Sequence, residues 1–574
     1  MSKTVSDQLV DMLAEQGVER IYGIVGDSLN PVMEALHADK RIRWMHVRHE
    51  ETGAFAASAE AQLTGRLAAC CGSCGPGNMH LINGLYDACR SSASVFALAS
   101  HIPTSHIGSE YFQETHPTQF FAECTSYCEL VNSAEQAGQI VGSAVRHAIA
   151  APGVGMAVLP GNVAAMPMGG AAVSPVRVQR ALLEPGEEEL LRLAELINRA
   201  KRVAFFCGAG CAGARDEIIA LARKVEAPVG YTLRAKDILE ADNPNAVGMT
   251  GLLGWGDATR AIHEAELLVL WGTDFPYSDF LPSHGNVAQI DHRAEALGRR
   301  VPICLGIHAD VGLTARRLLP MVQEDRGEEF LGRCLSRHGN ELTRLQAHVR
   351  AVDEHAPIRP EYLTKLVSDL AEPDAVFTVD TGTPVIWCAR YTQALLHRRI
   401  IGSFKHGSMA CALAMAIGAK AAFPSRQVIA LCGDGGLSML PGDMLTLMQE
   451  GLAVKILVYN NSSLDFVALE QEISDMPHMG TELSAVNYAD IARGMGVPAQ
   501  RAEDPVALPV AVRSWLAEQG PALLDVAVDT HALALPPDVG MLQALGLSQS
   551  LGRTERHELD AVKRLLFGNR KLFR

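Results

Sequence analysis

Two polar motifs in the last third of the chain carry residue types that could bind a metal ion and a diphosphate group. The strand-like segment QVIALC ends in GDGG, with Asp434, and the strand-like segment VKILVY ends in NNS, with Asn461. Ligands of parallel α/β sheets collect at the carboxyl ends of strands, where helix N-termini offer free amide groups to phosphate. Because Mg²⁺ prefers oxygen ligands, we expect it to be bound by Asp434, the side chain of Asn461 and the backbone carbonyl of Ser463. Each motif alone is also a common turn, but the pair at two strand ends favours a bound diphosphate.

A glycine-rich motif in the middle of the chain could bind a dinucleotide. Gly208, Gly210 and Gly213 follow the strand-like segment VAFFC, and Glu226 lies 18 residues past Gly208. This spacing matches the NAD fingerprint, in which glycines let the backbone approach the pyrophosphate. The motif is weak on its own, so the identity of the dinucleotide stays open at this point.

Composition and charge limit the function classes. The 574 residues include 48% hydrophobic and 20% charged side chains, which is typical of a globular chain too long for one core. The formal net charge of −15 argues against nucleic acid as a partner, because binding it requires a concentrated positive face. We expect neither a secretory signal nor a membrane span, since no apolar stretch approaches roughly 18 residues. Thirteen scattered cysteines, with Cys71 and Cys74 at a metal-like spacing but without a second pair, favour free, packed thiols in a cytoplasmic protein.

Three blocks of alternating strand-like and helix-like segments predict an α/β fold of three successive doubly wound domains. We place an N-terminal domain at 1–175, a central domain at 186–335 and a C-terminal domain at 356–530, followed by a tail at 531–574. The metal and diphosphate motifs belong to the C-terminal domain, and the glycine-rich motif belongs to the central one.

Longer motifs give the chain a resemblance to a known family. GDGG and NNS, together with the RHEE motif that contains Glu50, resemble the signature of thiamine diphosphate-dependent enzymes. The collinear segments that carry the resemblance over nearly the whole chain are RHEE, GSCGPGNMHLINGLYDACR, YFQETHP, LPGN, DNPNAVGMTGLLG, FPY, GSFKHGSMA and CGDGGLSML. Within the family they look most like the bacterial membrane-associated, FAD-containing pyruvate dehydrogenases that use a quinone, also called pyruvate oxidases.

The resemblance implies roles for residues of the two outer domains. Glu50 would hydrogen-bond the pyrimidine ring of thiamine diphosphate, whereas the bare sequence also allows an ordinary surface acid. Gly407, Ser408 and Met409 would receive the aminopyrimidine, with Met409 as an apolar wedge that bends the cofactor; a core side chain is the alternative for Met409. The other residues implied around the cofactor are Gly435, Gly436, Ser462, Leu464 and Asp465, and those implied around the reacting atoms are Phe112, Gln113, Phe466, Val467 and Glu470.

For the central domain the resemblance implies FAD rather than NAD. The implied contacts are Thr250, Gly251, Leu252, Leu253, Thr273, Asp274, Phe275, Pro276, Tyr277 and Asp291. Asp291 ends a strand-like segment, which suits recognition of a ribose or adenine, and a strand-end cap is the alternative reading.

The reaction implied by the resemblance is oxidative decarboxylation of pyruvate to acetate and CO₂, with electrons passed through FAD to ubiquinone. Two related activities stay open: 2-oxoacid carboligation of the acetolactate synthase type, and pyruvate oxidation with oxygen and phosphate. A relic that binds cofactors without catalysis is a further alternative. In the family, the N-terminal domain of one subunit faces the C-terminal domain of another, so we expect a homodimer and a dimer of dimers.

The tail adds a possible membrane contact. Residues 553–574 include seven Lys or Arg and three acidic side chains, next to apolar residues at helical spacing. A basic amphipathic helix can lie on anionic lipid, and a helix docked on its own core is the alternative. The resemblance favours lipid, and therefore a cytoplasmic enzyme bound peripherally to the inner face of the cell membrane.

Three residues depart from the pattern of the resembled enzymes. Asp465 stands where Gly is usual before Phe466, Thr381 where an apolar residue is common, and Ala309 in place of Gly. We expect these changes to affect substrate range or flavin geometry and to leave the fold unchanged.

Overall fold

The computed structural model of the chain describes residues 3–169, 178–179, 181–283, 285–324, 329–350, 356–473, 476–530 and 532. Apart from Ala532, the tail predicted over 531–574 lies outside these described residues. Within them, no helix is long and apolar enough to cross a membrane.

The N-terminal domain is a parallel six-stranded sheet in the order β2-β1-β3-β4-β6-β5. Its strands are β1 (Arg20–Gly23), β2 (Arg43–His46), β3 (Ala68–Gly72), β4 (Val95–His101), β5 (Tyr127–Leu130) and β6 (Val154–Pro160). Its helices are α1 (Val5–Glu15), α2 (Asn30–Asp39), α3 (Glu50–Thr64), α4 (Pro76–His80), α5 (Ile82–Ser91), α6 (Pro117–Phe120), α7 (Ala134–Ala150) and α8 (Gly161–Ala164). Along β3, Cys70 belongs to one hydrophobic core and Cys71 to another, so both faces of the sheet are covered. Burial on both faces accounts for the near-continuous hydrophobic strand sequences.

The central domain has a seven-stranded sheet in the order β10-β9-β8-β7-β11-β12-β13. Its strands are β7 (Val203–Cys207), β8 (Val229–Tyr231), β9 (Ala246–Met249), β10 (Trp255–Gly256), β11 (Leu267–Trp271), β12 (Asn286–Asp291) and β13 (Leu305–His308). Its helices are α9 (Glu187–Arg199), α10 (Arg215–Lys224), α11 (Leu233–Leu239), α12 (Ala258–Glu264) and α13 (Val311–Leu318), and α14 (Glu329–Arg350) leads to the next domain. The short strand β10 is antiparallel to β9. The strand order reverses between β7 and β11, which makes this edge a topological switch point, where such sheets bind ligands.

The C-terminal domain repeats the topology of the N-terminal one. Its parallel strands lie in the order β15-β14-β16-β17-β19-β18, the same relative order as in the first sheet. They are β14 (Val376–Val379), β15 (Arg399–Gly402), β16 (Val428–Gly433), β17 (Val454–Asn460), β18 (Ala499–Ala502) and β19 (Ala522–Ala527). The helices are α15 (Pro360–Leu370), α16 (Thr383–Tyr391), α17 (Cys411–Ala422), α18 (Asp434–Leu437), α19 (Met444–Glu450), α20 (Asp465–Ile473), α21 (Tyr488–Gly494) and α22 (Leu508–Ala517).

The two outer domains share a hydrophobic core through α3 and α17. A Cβ on Gly418 of α17 would overlap the carbonyl oxygen of Ala56 in α3, so the helices cross at backbone contact. Residues of both sheets, including Val95 and Val428, belong to the same buried cluster. The two domains are therefore packed as one body, with the loops at their strand ends held in fixed positions.

The structure confirms the predicted fold class of three α/β domains. In the N-terminal domain, the helical residues after β3 form two short helices, α4 and α5, which meet at Leu81. There the N–H of Leu81 donates to the carbonyl of Asn78, three residues back, so the helical turn tightens at the break.

Candidate active site

Loops at the carboxyl ends of equivalent strands carry the residues predicted to bind thiamine diphosphate. The second strand of each outer sheet leads to one of them, β2 to Glu50 and β15 to the loop 407–409. The third strand of the C-terminal sheet leads to Asp434. The fourth strand leads to Gln113 in the N-terminal domain and to the loop 461–467 in the C-terminal domain. The repeated topology thus places the predicted residues at corresponding sheet edges, where α/β sheets bind ligands.

Glu50 is the first residue of α3 and is buried, with 5% of its surface exposed. Its Oε2 lies 2.9 Å from Nδ1 of His80, whose ring stacks on that of His49 with the centroids 4.3 Å apart. Burial excludes the alternative of an ordinary surface acid. A buried carboxyl fixed by a neighbouring side chain can hold a proton at one point, which the predicted contact with the pyrimidine ring requires.

The predicted substrate-side residues lie in the loop after β4. Phe112 is 78% exposed, and Gln113 is partly buried with a φ of +63°. This left-handed backbone is uncommon for a residue with a side chain and costs about 1 kcal/mol or more, so neighbouring contacts must maintain it. One such contact is a hydrogen bond from Sγ of Cys74 to Oε1 of Gln113, at 3.1 Å.

The loop 407–409 is tied to the N-terminal domain by Asn83 of α5. Asn83 donates from Nδ2 to Oγ of Ser408 at 2.9 Å, and its Oδ1 lies 2.8 Å from Nε2 of His406. Met409 is partly buried, and its Cε would lie 3.3 Å from a Cβ on Gly435. Met409 therefore lies beside the GDGG turn, as its predicted role as a wedge requires.

Asp434 begins α18 directly after β16 and is buried. Its carboxylate accepts hydrogen bonds from the backbone N–H groups of Gly435 at 2.7 Å, Asn461 at 3.1 Å and Ser462 at 2.6 Å, so the two predicted motifs meet here. Burial raises the pKa of this carboxyl, and a bound cation would favour its charged form. Oδ1 of Asn461 accepts from the N–H of Ser463 at 3.1 Å. A carboxylate, an amide oxygen and backbone carbonyls in one loop cluster fit a small cation such as Mg²⁺.

Neighbouring side chains leave no room for a Cβ at the glycines of the GDGG turn. A Cβ on Gly435 would lie 2.7 Å from Cδ2 of Leu464, and one on Gly436 would overlap Oδ2 of Asp380. Both glycines are buried in a helical turn that directly follows a strand, the position at which α/β sheets bind phosphate. Within the described residues, no group of three His, Cys, Asp or Glu side chains could hold a metal ion.

The sequence-based predictions did not include Asp380, which joins parts of this site. It follows β14, is buried, and accepts a hydrogen bond from the N–H of Ala412 in α17 at 2.8 Å. Burial raises the pKa of its carboxyl to about 7. Since α17 follows the loop 407–409 and Gly436 lies against Asp380, this carboxyl fixes the loop relative to the GDGG turn. The sequence VDTG, with Asp380 at the end of a strand-like segment, could have indicated this residue as a site candidate.

A cavity of about 720 Å³ lies at the switch point of the central sheet. All ten residues predicted to contact FAD line it: Thr250, Gly251, Leu252, Leu253, Thr273, Asp274, Phe275, Pro276, Tyr277 and Asp291. Gly208 and Gly210 line it as well, and a Cβ on Gly210 would lie only 2.6 Å from Cα of Gly272. The cavity has the size and the close backbone approach that suit a bound dinucleotide.

The C-terminal domain closes one side of this cavity. Gly407 and Phe466 line it, and so does Thr381, one of the three departures from the family pattern.

Phe466 belongs to α20, which begins at Asp465. The negative charge of Asp465 is favourable at a helix N-terminus. Val467 and Glu470 of this helix are exposed, Glu470 one turn beyond Phe466 on the same face. The remaining departure, Ala309, is fully buried just beyond β13.

Positive side chains surround Asp274 at the cavity. Its carboxylate lies 2.9 Å from Nε of Arg300, 3.0 Å from Nη1 of Arg299, 3.4 Å from Nη2 of Arg293 and 3.9 Å from Nζ of Lys405. Four cations around one carboxylate leave a positive region that suits a diphosphate.

Comparisons with known proteins find similar proteins over nearly the whole chain. Three models of thiamine pyrophosphate enzymes match in series: the N-terminal TPP binding domain at residues 3–120, the central domain at 190–318 and the C-terminal TPP binding domain at 380–526. A putative thiamine pyrophosphate-containing protein of Bacillus subtilis, YdaP, is 32% identical over 98% of this chain and 99% of its own length. Pyruvate oxidase of Lactiplantibacillus plantarum is 30% identical over 92% of this chain and 89% of its own. The large subunit of acetolactate synthase isozyme 1 of Escherichia coli is 28% identical over 93% and 95%.

Proposed function

Because the chain belongs to the family of thiamine pyrophosphate-dependent enzymes, we propose that it uses thiamine diphosphate, Mg²⁺ and FAD to decarboxylate pyruvate oxidatively to acetate and CO₂, with ubiquinone as electron acceptor. The similarity to a pyruvate oxidase over most of both chains supports pyruvate as the substrate.

One observation carries the oxidoreductase proposal: the cavity lined by the predicted FAD residues continues to the predicted thiamine site. Gly407, from the loop that would receive the aminopyrimidine, and Phe466, from the loop after the metal ligands, both line it. Side chains that line one continuous cavity would hold both cofactors close enough for electron transfer without a mobile carrier, and the protein's part would be to orient them.

Thiamine diphosphate, when bound, supplies the electron sink for loss of CO₂ from a 2-oxo acid. The residues of this chain hold and shield it: Asp434 and Asn461 bind its metal, and Glu50 holds a proton at the pyrimidine ring. Gln113 donates hydrogen bonds to substrate oxygens, and Phe466 separates the reacting atoms from water.

We further propose that the active enzyme is a homodimer, assembled into a dimer of dimers, in which a second copy covers the thiamine site. Met79 beside His80, Met439 after α18 and Met448 on α19 are exposed. Exposed apolar side chains near site loops of both outer domains support a face that another subunit covers. Light scattering of the purified protein tests this, and an active monomer would refute it.

The membrane part of the proposal rests on the basic segment 553–574, which lies outside the described residues. The proposed cytoplasmic enzyme would contact anionic lipid through this segment and thereby meet ubiquinone. Sedimentation with anionic vesicles, before and after reduction by pyruvate, tests it; a truncated chain lacking residues 553–574 serves as the control and should stay in solution.

A second candidate function is carboligation, which the acetolactate synthase relative supports. Product analysis separates the candidates. The proposal expects acetate and CO₂ in equal amounts, with more than one turnover per flavin only when a quinone is supplied. Acetolactate without a quinone would establish the carboligase instead, and acetyl phosphate with peroxide would establish an oxygen- and phosphate-using oxidase.

A further inference from the structure

The segment 73–77, which follows β3 and includes the start of α4, contacts both Glu50 and Gln113. A Cβ on Gly77 would lie 2.8 Å from Oε1 of Glu50, and a Cβ on Gly75 would lie 2.8 Å from Cβ of Gln113. Neither glycine leaves room for a side chain. A single short loop thus separates the predicted proton-holding carboxyl from the predicted substrate-side amide and fixes the position of each.

Cys74 directly precedes Gly75 in this segment, and both its backbone and its side chain are hydrogen-bonded. Only 4% of its surface is exposed, and its backbone N–H donates to Oγ of Ser28 at 3.2 Å. Its Sγ donates to Oε1 of Gln113 at 3.1 Å. Because the backbone of Cys74 is anchored, the direction of its thiol is fixed relative to Gln113.

The hydrogen bond has a consequence for the chemistry of Gln113. A glutamine amide has one acceptor oxygen and an NH₂ group with two donors, and the thiol occupies the oxygen. The left-handed φ of +63° shows that the backbone of Gln113 is held against its own preference. With the oxygen turned to Cys74, the NH₂ group is the part of the amide left for a ligand.

We propose that Cys74 is a positioning residue: its thiol holds the amide oxygen of Gln113, so that the amide nitrogen donates to the carboxylate or carbonyl oxygen of a 2-oxo acid. This inference rests on the proposed function. Without the thiol the amide could turn its oxygen toward the substrate, and two acceptors would then face each other.

Two variants at this position test the proposal. Cys74→Ala removes the donor and should raise the KM for pyruvate roughly tenfold, the effect of one hydrogen bond to a charged group, with little change in kcat or thermal unfolding. Cys74→Ser keeps a donor and should stay within about threefold of the unmodified enzyme. Cys124→Ala, which removes a buried thiol bonded to the carbonyl of Phe121 in the same domain, is the matched control. An unchanged KM in Cys74→Ala would overturn the proposal.

A double-mutant cycle separates positioning from general packing. If Cys74 acts through Gln113, Cys74→Ala should cause no further loss in a Gln113→Ala background; full additivity would contradict the inference.

Acetylphosphonate, an anionic analogue of pyruvate that cannot lose CO₂, gives a readout that is independent of turnover. Its affinity should fall by the same factor in Cys74→Ala. If the unmodified enzyme binds it but releases no CO₂ from pyruvate, the proposed function fails while the positioning role is still measured.

Discussion

Glu50 is buried, and we propose that its carboxyl handles a proton at the thiamine site. Because a glutamine cannot hold the acid proton, Glu50→Gln should lower kcat by roughly 10²- to 10⁴-fold while FAD stays bound. Turnover of pyruvate with an artificial acceptor and the flavin content of the variant measure this. Glu34→Gln, on the exposed face of α2, is the control. Full activity in Glu50→Gln would assign the chain to the non-catalytic alternative.

Lys405 should make the proposed binding of FAD depend on pH. Burial, followed by the nearby Arg293 and Arg234, lowers the pKa of its ammonium group to about 8, although Asp274 opposes this shift. In the cofactor-free protein the charged form of Lys405 is thus disfavoured. The resulting loss of folding stability is complete below pH 8 and disappears as the pH rises toward 10.5, the usual pKa of a lysine. A bound diphosphate would restore the charge, so FAD binding should take up a proton above pH 8 and weaken as the pH rises to 10.

Titration of the cofactor-free protein with FAD between pH 7.5 and pH 10, followed by flavin fluorescence, checks the role of Lys405. The affinity should fall with pH in the native chain, and Lys405→Met should bind more weakly at pH 7.5 with a flatter profile. The same slope in both proteins would show that another group titrates.

The positions of the predicted site residues depend on the crossing of α3 and α17. Glu50 is the first residue of α3, and α17 follows the loop 407–409. Gly418→Val adds a side chain where even a Cβ has no room, so it should destabilise the protein by about 2 kcal/mol or more and weaken thiamine diphosphate binding. Gly332→Ala in α14 is the matched control. No atom lies within 4 Å of a Cβ there, and the change should leave stability equal or raise it by about 0.5–1 kcal/mol. Thermal unfolding measures both, and equal melting temperatures would contradict the packing argument.

For the chain as a whole, local sequence patterns were enough to predict some features of the fold and of the site. Hydrophobic strands alternating with helices indicated three α/β domains, and the rule that ligands bind at carboxyl strand ends selected Asp434 and Asn461. The resemblance selected ten residues that the structure places around one cavity. The contacts of Cys74 with Gln113 and of Asp380 with α17 could not be predicted, because each joins segments more than 30 residues apart through a fold that no local pattern encodes. The shared strand order of the two outer sheets could not be predicted either, because it depends on which strands pair across the sheet and not on local sequence.

We propose that thiamine diphosphate and FAD bind in one continuous cavity, in which electrons from pyruvate reach the flavin. The proposal is tested by mixing the cofactor-loaded protein with pyruvate under anaerobic conditions while flavin absorbance near 450 nm is followed. One equivalent of pyruvate should bleach the flavin, ubiquinone should restore the colour, and Glu50→Gln should abolish the bleaching. A flavin that keeps its absorbance while pyruvate is consumed would contradict it.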